Sequence, residues 1–130
     1  MKMALLSAMV ALAASAAAHA QKPYSDKEII SSIAACMLEN APQDWQRLIF
    51  TLEEEAPTED QKRTGTFEHK VVTSAPGSEP QDLKPCRPLY VPTAVNALRE
   101  NQDAKARAWT GITITLERDG RYSINYRYPK

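Results

Sequence analysis

The sequence is poor in the residues from which most catalytic sites are assembled. It holds two histidines, His19 and His69, and two cysteines, Cys36 and Cys86. A zinc site draws three or four ligands from Cys, His and carboxylate, and that supply is not here. A Ser-His-Asp triad would have to use His69, and no nucleophile-elbow motif occurs anywhere. The four glycines (Gly65, Gly77, Gly111 and Gly120) are isolated from one another, so there is no glycine-rich cradle for a phosphate. Net charge is absent too: sixteen basic residues balance sixteen acidic ones. That removes any bulk attraction to nucleic acid or to anionic lipid. These absences point away from metal, cofactor and nucleic acid.

What is present begins with a leader. Residues 1–20, MKMALLSAMVALAASAAAHA, have the layout of a cleavable secretory signal. Lys2 supplies the positive start, Ala4 to Ala14 the apolar run, and Ala18-His19-Ala20 the small-x-small cleavage site. The apolar run is too short to span a bilayer, which takes about 20 residues. No later stretch is apolar enough to insert, and no cysteine stands at the cleavage point to carry a lipid. Cleavage after Ala20 leaves residues 21–130 as a single domain. Only Lys2 among the charged residues is lost, so the remainder carries −1. The expected location is periplasmic or secreted.

An even cysteine count in an exported chain favours a bridge between Cys36 and Cys86. Closing a loop of about 50 residues stabilises by roughly 4 kcal/mol in the chain-entropy picture. Ser25 and Glu28 form a capping box, with Tyr24 and Ile29 at the staple positions. Ile29, Ile30, Ile33, Ala34, Cys36 and Met37 then recur at helical spacing, and Pro42 stops the helix near Asn40.

From Trp45 to Leu52 the pattern alternates, with Leu48, Phe50 and Leu52 on one face. Glu53 to Arg63 is charged, holds Pro57 and reads as a turn or protruding loop. A weaker strand follows over 65–73, with Phe67, His69 and Val71 in phase. Residues 74–92 carry five of the nine prolines and read as an irregular connector with polyproline character. A helix over 93–107 has Val95 and Leu98 as its clearest core positions. Trp109 to Arg118 is the cleanest strand. Asp119-Gly120 signals a type I′ hairpin, and Arg121 to Tyr128 returns with its tyrosines on one face and its arginines on the other. WQRLIFTLE from Trp45 also lies in phase over WTGITITLE from Trp109. The expected fold is α+β in the order helix, hairpin, helix, hairpin: a four-stranded antiparallel sheet with two helices on one face.

Glu53, Glu54, Glu55, Glu59 and Asp60 form the sharpest polar cluster. Paired carboxylates hydrolyse glycosides when held some 5–10 Å apart across a cleft, but a proline-containing loop is a poor frame for fixed geometry. A solvated loop, or an acidic contact surface for a basic protein partner, fits the composition better.

Pro42-Gln43-Asp44-Trp45 leading into a strand, and the closing Trp109…Leu116-Glu117-Arg118-Asp119-Gly120-Arg121-Tyr122-Ser123-Ile124-Asn125-Tyr126-Arg127-Tyr128, resemble the YezG-like immunity proteins of bacterial toxin systems. The likeness spans most of residues 25–128, and its specific part is the final hairpin. It implies a non-enzymatic α+β protein that neutralises a cognate toxin by binding it. The export signal, the cysteine pair and the proline-rich crossing depart from that family's usual cytoplasmic pattern. They move the expected action outside the cytoplasm. The expected function is therefore an exported protein-binding domain, an immunity protein or inhibitor. The alternatives are a small periplasmic hydrolase built on His69 and the acidic loop, and a structural or accessory envelope protein.

Overall fold

A computed structural model describes residues 24–55 and 64–130. The leader over 1–20, together with Glu59 and Asp60, lies outside the described residues.

Helix α1 (Asp26–Leu38) starts where the capping box places it. The Glu28 N–H donates to Ser25 Oγ at 3.1 Å, and the Ser25 N–H donates to Glu28 Oε1 at 2.9 Å. Two of the N–H groups that no helix turn can satisfy are thus satisfied reciprocally. Strand β1 (Trp45–Glu54) and strand β2 (Gly65–Thr73) form an antiparallel pair, with Phe50 opposite His69. Strand β3 (Gln81–Asp82) adds to the free side of β2. Helix α2 (Tyr90–Glu100) and a short 3₁₀ turn (Ala106–Ala108) lead to β4 (Gly111–Glu117) and β5 (Tyr122–Arg127). The sheet is antiparallel throughout, in the order β3-β2-β1-β4-β5.

Among the described residues the α+β class and two helices stand as expected, but the sheet has five strands rather than four. The first half is a three-stranded meander, not a hairpin. The proline-rich connector contributes β3, whose two residues are both exposed and therefore show no alternation of apolar and polar side chains. Helix α2 begins at Tyr90, not Thr93, so Pro92 falls in its first turn, where no intrahelical partner awaits its missing N–H. It ends at Glu100 rather than Arg107. The final hairpin is not type I′. The Gly120 N–H donates to the Glu117 carbonyl at 3.0 Å and the Glu117 N–H to the Arg121 carbonyl at 2.8 Å. The turn is therefore centred on Arg118-Asp119, and Gly120 follows at φ +93°, a conformation that favours glycine.

The echoed segments become β1 and β4, neighbours at the centre of the sheet. Leu48, Phe50 and Leu52 of β1, with Ile112, Ile114 and Leu116 of β4, form the inner face. They join Ile29, Ile30, Ile33 and Met37 of α1 and Val91, Val95 and Leu98 of α2 in one core. The outer face is polar, with Thr51 opposite Thr113 and Arg47 paired to Glu117 at 2.9 Å.

The helices run antiparallel and are tied at both ends. At one end the Cys36–Cys86 disulfide joins α1 to the segment before α2, with Cα atoms 4.8 Å apart. Asn40 Nδ2 donates to the Lys84 and Pro85 carbonyls beside it. At the other end Asn101 Nδ2 donates to Asp26 Oδ1 at 2.8 Å and to the Tyr24 carbonyl at 3.0 Å. Replacing both Cys36 and Cys86 by Ala should lower unfolding stability by about 2–5 kcal/mol. The urea midpoint of the double variant, measured against the oxidised chain, checks this; an unchanged midpoint would show that the bridge stabilises nothing.

Candidate functional site

Two residues of the acidic cluster, Glu53 and Glu54, belong to a strand rather than to the loop that composition suggests. Glu53 and Glu54 are the last two residues of β1, and successive strand residues face opposite sides. Glu53 lies on the outer face, where Arg127 of β5 donates Nε–H to its Oε1 at 2.8 Å. Gly111 makes room for this pair, since a Cβ there would stand 2.6 Å from Glu53 Oε2 and 2.8 Å from Arg127 Nε. Glu54 lies on the inner face and takes two hydrogen bonds from Arg99, Nη1 to Oε2 at 3.2 Å and Nη2 to Oε1 at 2.8 Å. Glu55 follows the strand, its N–H donating to the Thr64 carbonyl at 2.9 Å. With their carboxylates on opposite sides of one strand, Glu53 and Glu54 do not flank a common cleft. A partner would meet Glu53 and Glu55 at the surface; Glu54 is held inside the fold.

Arg99 is the residue that sequence reasoning missed. It is 5% exposed, a rare burial for an arginine. Besides Glu54 it serves Trp109: Nη2 donates to the Trp109 carbonyl at 2.8 Å, and the guanidinium carbon stands 3.5 Å from the indole centroid. Trp109 is fully buried, and its Nε1–H donates to Gln102 Oε1 at 2.8 Å. A signal existed. Val91, Val95 and Arg99 recur every four residues and share one helix face, so Arg99 sits on the apolar stripe once the helix is started at Tyr90. Arg118 does a related job at the other echoed tryptophan. It donates to the Gln43 and Trp45 carbonyls at 2.7 and 2.8 Å and lies 5.2 Å from the Trp45 ring centroid.

His69 is buried on the inner face of β2, against Phe50 at 5.1 Å and Phe67 at 5.8 Å between ring centroids. Its Nε2 has no hydrogen-bond partner. Burial disfavours the charged imidazolium and pushes its pKa below the ordinary histidine value. No side-chain partner orients it as a general base, and it acts as a packed aromatic.

A second surface emerges that the composition did not announce. Residues 85–90, pinned by the disulfide, separate two hollows. One, of about 460 Å³, lies between the helices and is lined by Tyr24, Ile29, Tyr90, Ala94 and Ala97. The other, of about 190 Å³, is lined by Phe67, His69, Pro85, Cys86 and Pro88. Leu89, in the same segment, is 64% exposed, and Tyr24 and Phe67, which each line one of the hollows, are also exposed. This is an apolar strip with a polar rim from Glu28, Thr93 and Lys84.

Among the described residues no group of three or more His, Cys, Asp or Glu side chains could hold a metal ion, and no helix is long and apolar enough to cross a membrane. No protein-family model matches the chain, and no curated protein is detectably similar to it.

Arg99→Ala removes the guanidinium that bonds both the Glu54 carboxylate and the Trp109 carbonyl, and breaking a buried ion pair in this way costs about 3–5 kcal/mol. Arg99→Lys should recover little, because an ammonium cannot supply the two-pronged contact and the stacking together. Chemical denaturation of both variants checks this, and a lysine variant close to the parent would contradict it. Below about pH 6.5, the ordinary histidine value, the unfolded chain takes up a proton that folded His69 resists. Stability should therefore hold above that pH and decline as pH falls toward the depressed folded value. Thermal unfolding between about pH 5 and 8 reads the slope, which His69→Gln should flatten.

Proposed function

We propose that this chain is an exported, non-enzymatic binding domain that neutralises a protein toxin by occluding it, in the manner of the YezG-like immunity proteins. The apolar strip around Leu89 carries this reading. A disulfide-tied segment with an exposed leucine, whose residues line two hollows, can accept the side chains of a protein partner, and hot spots form in such desolvated pockets. The acidic end of β1 supports it: Glu53 and Glu55, with Glu59 and Asp60 along the chain, would steer a basic partner and speed encounter. The catalytic alternative has less to draw on, since Glu54 is committed to Arg99 and His69 to packing.

Two further observations bear on it. The two segments that carry the family likeness meet in space, with Arg118 of the closing hairpin bonded to the carbonyls of Gln43 and Trp45. The likeness thus maps onto one physical unit. The Cys36–Cys86 bridge fits an oxidising compartment, so we place the chain in the periplasm or outside the cell.

Affinity capture from an envelope extract with the oxidised chain should recover a stoichiometric protein partner. Leu89→Asp should weaken that partner's binding at least tenfold, and Glu53→Lys should slow its association more than it raises its dissociation rate. Capture that yields no stoichiometric partner, or a partner indifferent to Leu89→Asp, would overturn the reading. A hydrolytic activity lost on His69→Ala with the fold intact would favour the catalytic alternative.

A further inference from the structure

Strand β5 ends the sheet, and nothing among the described residues pairs with its outer side. The pairing register decides which backbone groups face outward. Glu117 and Arg121 bond across the hairpin, and residue partners alternate between bonded and non-bonded along an antiparallel ladder. Ser123, Asn125 and Arg127 therefore turn their N–H and C=O groups toward β4, as does the Arg121 carbonyl, while the Arg121 N–H donates to Asp119 Oδ1 at 3.0 Å. Tyr122, Ile124 and Tyr126 turn theirs toward the open edge. Within β5 there is no proline, no lysine and no bulge, and its one charged side chain, Arg127, is paired with Glu53.

The sequence along that edge is nearly symmetric about Ile124. In Arg121-Tyr122-Ser123-Ile124-Asn125-Tyr126-Arg127 the arginines and the tyrosines mirror each other, and the pair that breaks the symmetry, Ser123 and Asn125, is polar on both sides. A two-fold axis through Ile124 would set each outward residue against its own kind: Tyr122 against Tyr126 of a second copy, Ile124 against Ile124. These three positions are the ones with backbone groups to exchange. The centre of this near-symmetry and the hydrogen-bonding parity coincide, as an isologous strand pair requires. On the other face Arg121 would oppose Arg127, a like-charge contact that ordinarily repels. Each arginine brings its own carboxylate: Asp119 bonds Arg121 at 2.7 Å, and Glu53 bonds Arg127. The facing charges are thus neutralised pairs. Side chains agree as well. Tyr122 is 48% exposed on the inner-face side of β5, beyond the shelter of the helices, and a second copy would cover it.

We infer that two copies of this chain associate through antiparallel pairing of β5 with β5, centred on Ile124, to make one continuous sheet of ten strands from two of five. The contact is strand-sized, at the small end of specific interfaces, so its dissociation constant falls in the micromolar range. It leaves the Leu89 strip and the acidic end of β1 uncovered.

Sedimentation velocity on the oxidised chain from about 1 µM to about 1 mM reads the association directly. The expected result is a concentration-dependent shift from monomer to dimer. Tyr122→Pro removes one outward N–H and leaves the β4 ladder its bonds, so it should abolish the shift; circular dichroism checks that the fold survives. Tyr122→Lys places a charge on the edge and should raise the dissociation constant at least tenfold even if the proline variant misfolds. Ile124→Cys sets a thiol opposite its own copy at a Cα spacing of about 5.5 Å, inside the range a disulfide bridges, so it should give a covalent dimer on oxidation. A chain monomeric across the whole range would overturn the inference, as would a dimer insensitive to Tyr122→Lys or an Ile124→Cys variant that fails to cross-link while still dimerising.

Discussion

The fold turns on one buried cation. Arg99 reaches from the last turn of α2, bonds the carboxylate of Glu54 and the carbonyl of Trp109, and sets its guanidinium over the indole. Three elements that no run of sequence brings together are thereby fixed: the end of β1, the C-terminal turn of α2 and the entry to β4. A charge so deep is tolerable only because the carboxylate and the carbonyl replace the water it has lost. The consequence for function is that β1 cannot splay its end. Glu53, the next residue, is held on the outer face by the same register that holds Glu54 on the inner one.

That arrangement changes the meaning of the acidic cluster. In the bare sequence, three consecutive glutamates read as one feature. In the fold they separate: Glu53 engages Arg127, Glu54 goes inward, and only Glu55 faces the hairpin end beside Thr64. A strand divides its neighbours between two faces, so adjacency along β1 is the wrong geometry for carboxylates meant to cooperate. The surface better suited to recognition is the segment over residues 85–89 leading into α2, which has no regular structure of its own and is tied down by the disulfide.

How much of this the sequence disclosed follows from which signals are local. The capping box at Ser25 and Glu28 is a four-residue device, and it was legible. The alternation through Leu48, Phe50 and Leu52 and through Ile112, Ile114 and Leu116 gave both central strands their correct faces, because each buries one side only. The cysteine pair was legible by count. What failed was non-local. Strand β3 exists because β2 offers it an edge, not because Gln81 and Asp82 favour extension. Arg99 carries a buried role that its neighbours in the chain do not reveal, because its carboxylate partner is 45 residues away. The start of α2 was hidden by Pro92, which reads as a breaker until it is placed in a first turn. The tyrosines of β5 share one face as expected, yet only Tyr126 packs against the core; Tyr122 and Tyr128 remain exposed because β5 is the last strand.

The two margins of the sheet are unequal, and the inequality bears on how far the protein can grow. Beside β2 the short β3 is enclosed by Pro80 and Pro85 and clasped by the Lys70–Asp82 ion pair at 2.7 Å. A neighbour arriving there finds little backbone to grip. With one receptive margin and one blunted margin, edge-to-edge pairing through β5 would leave no second open edge on which filamentous growth could continue.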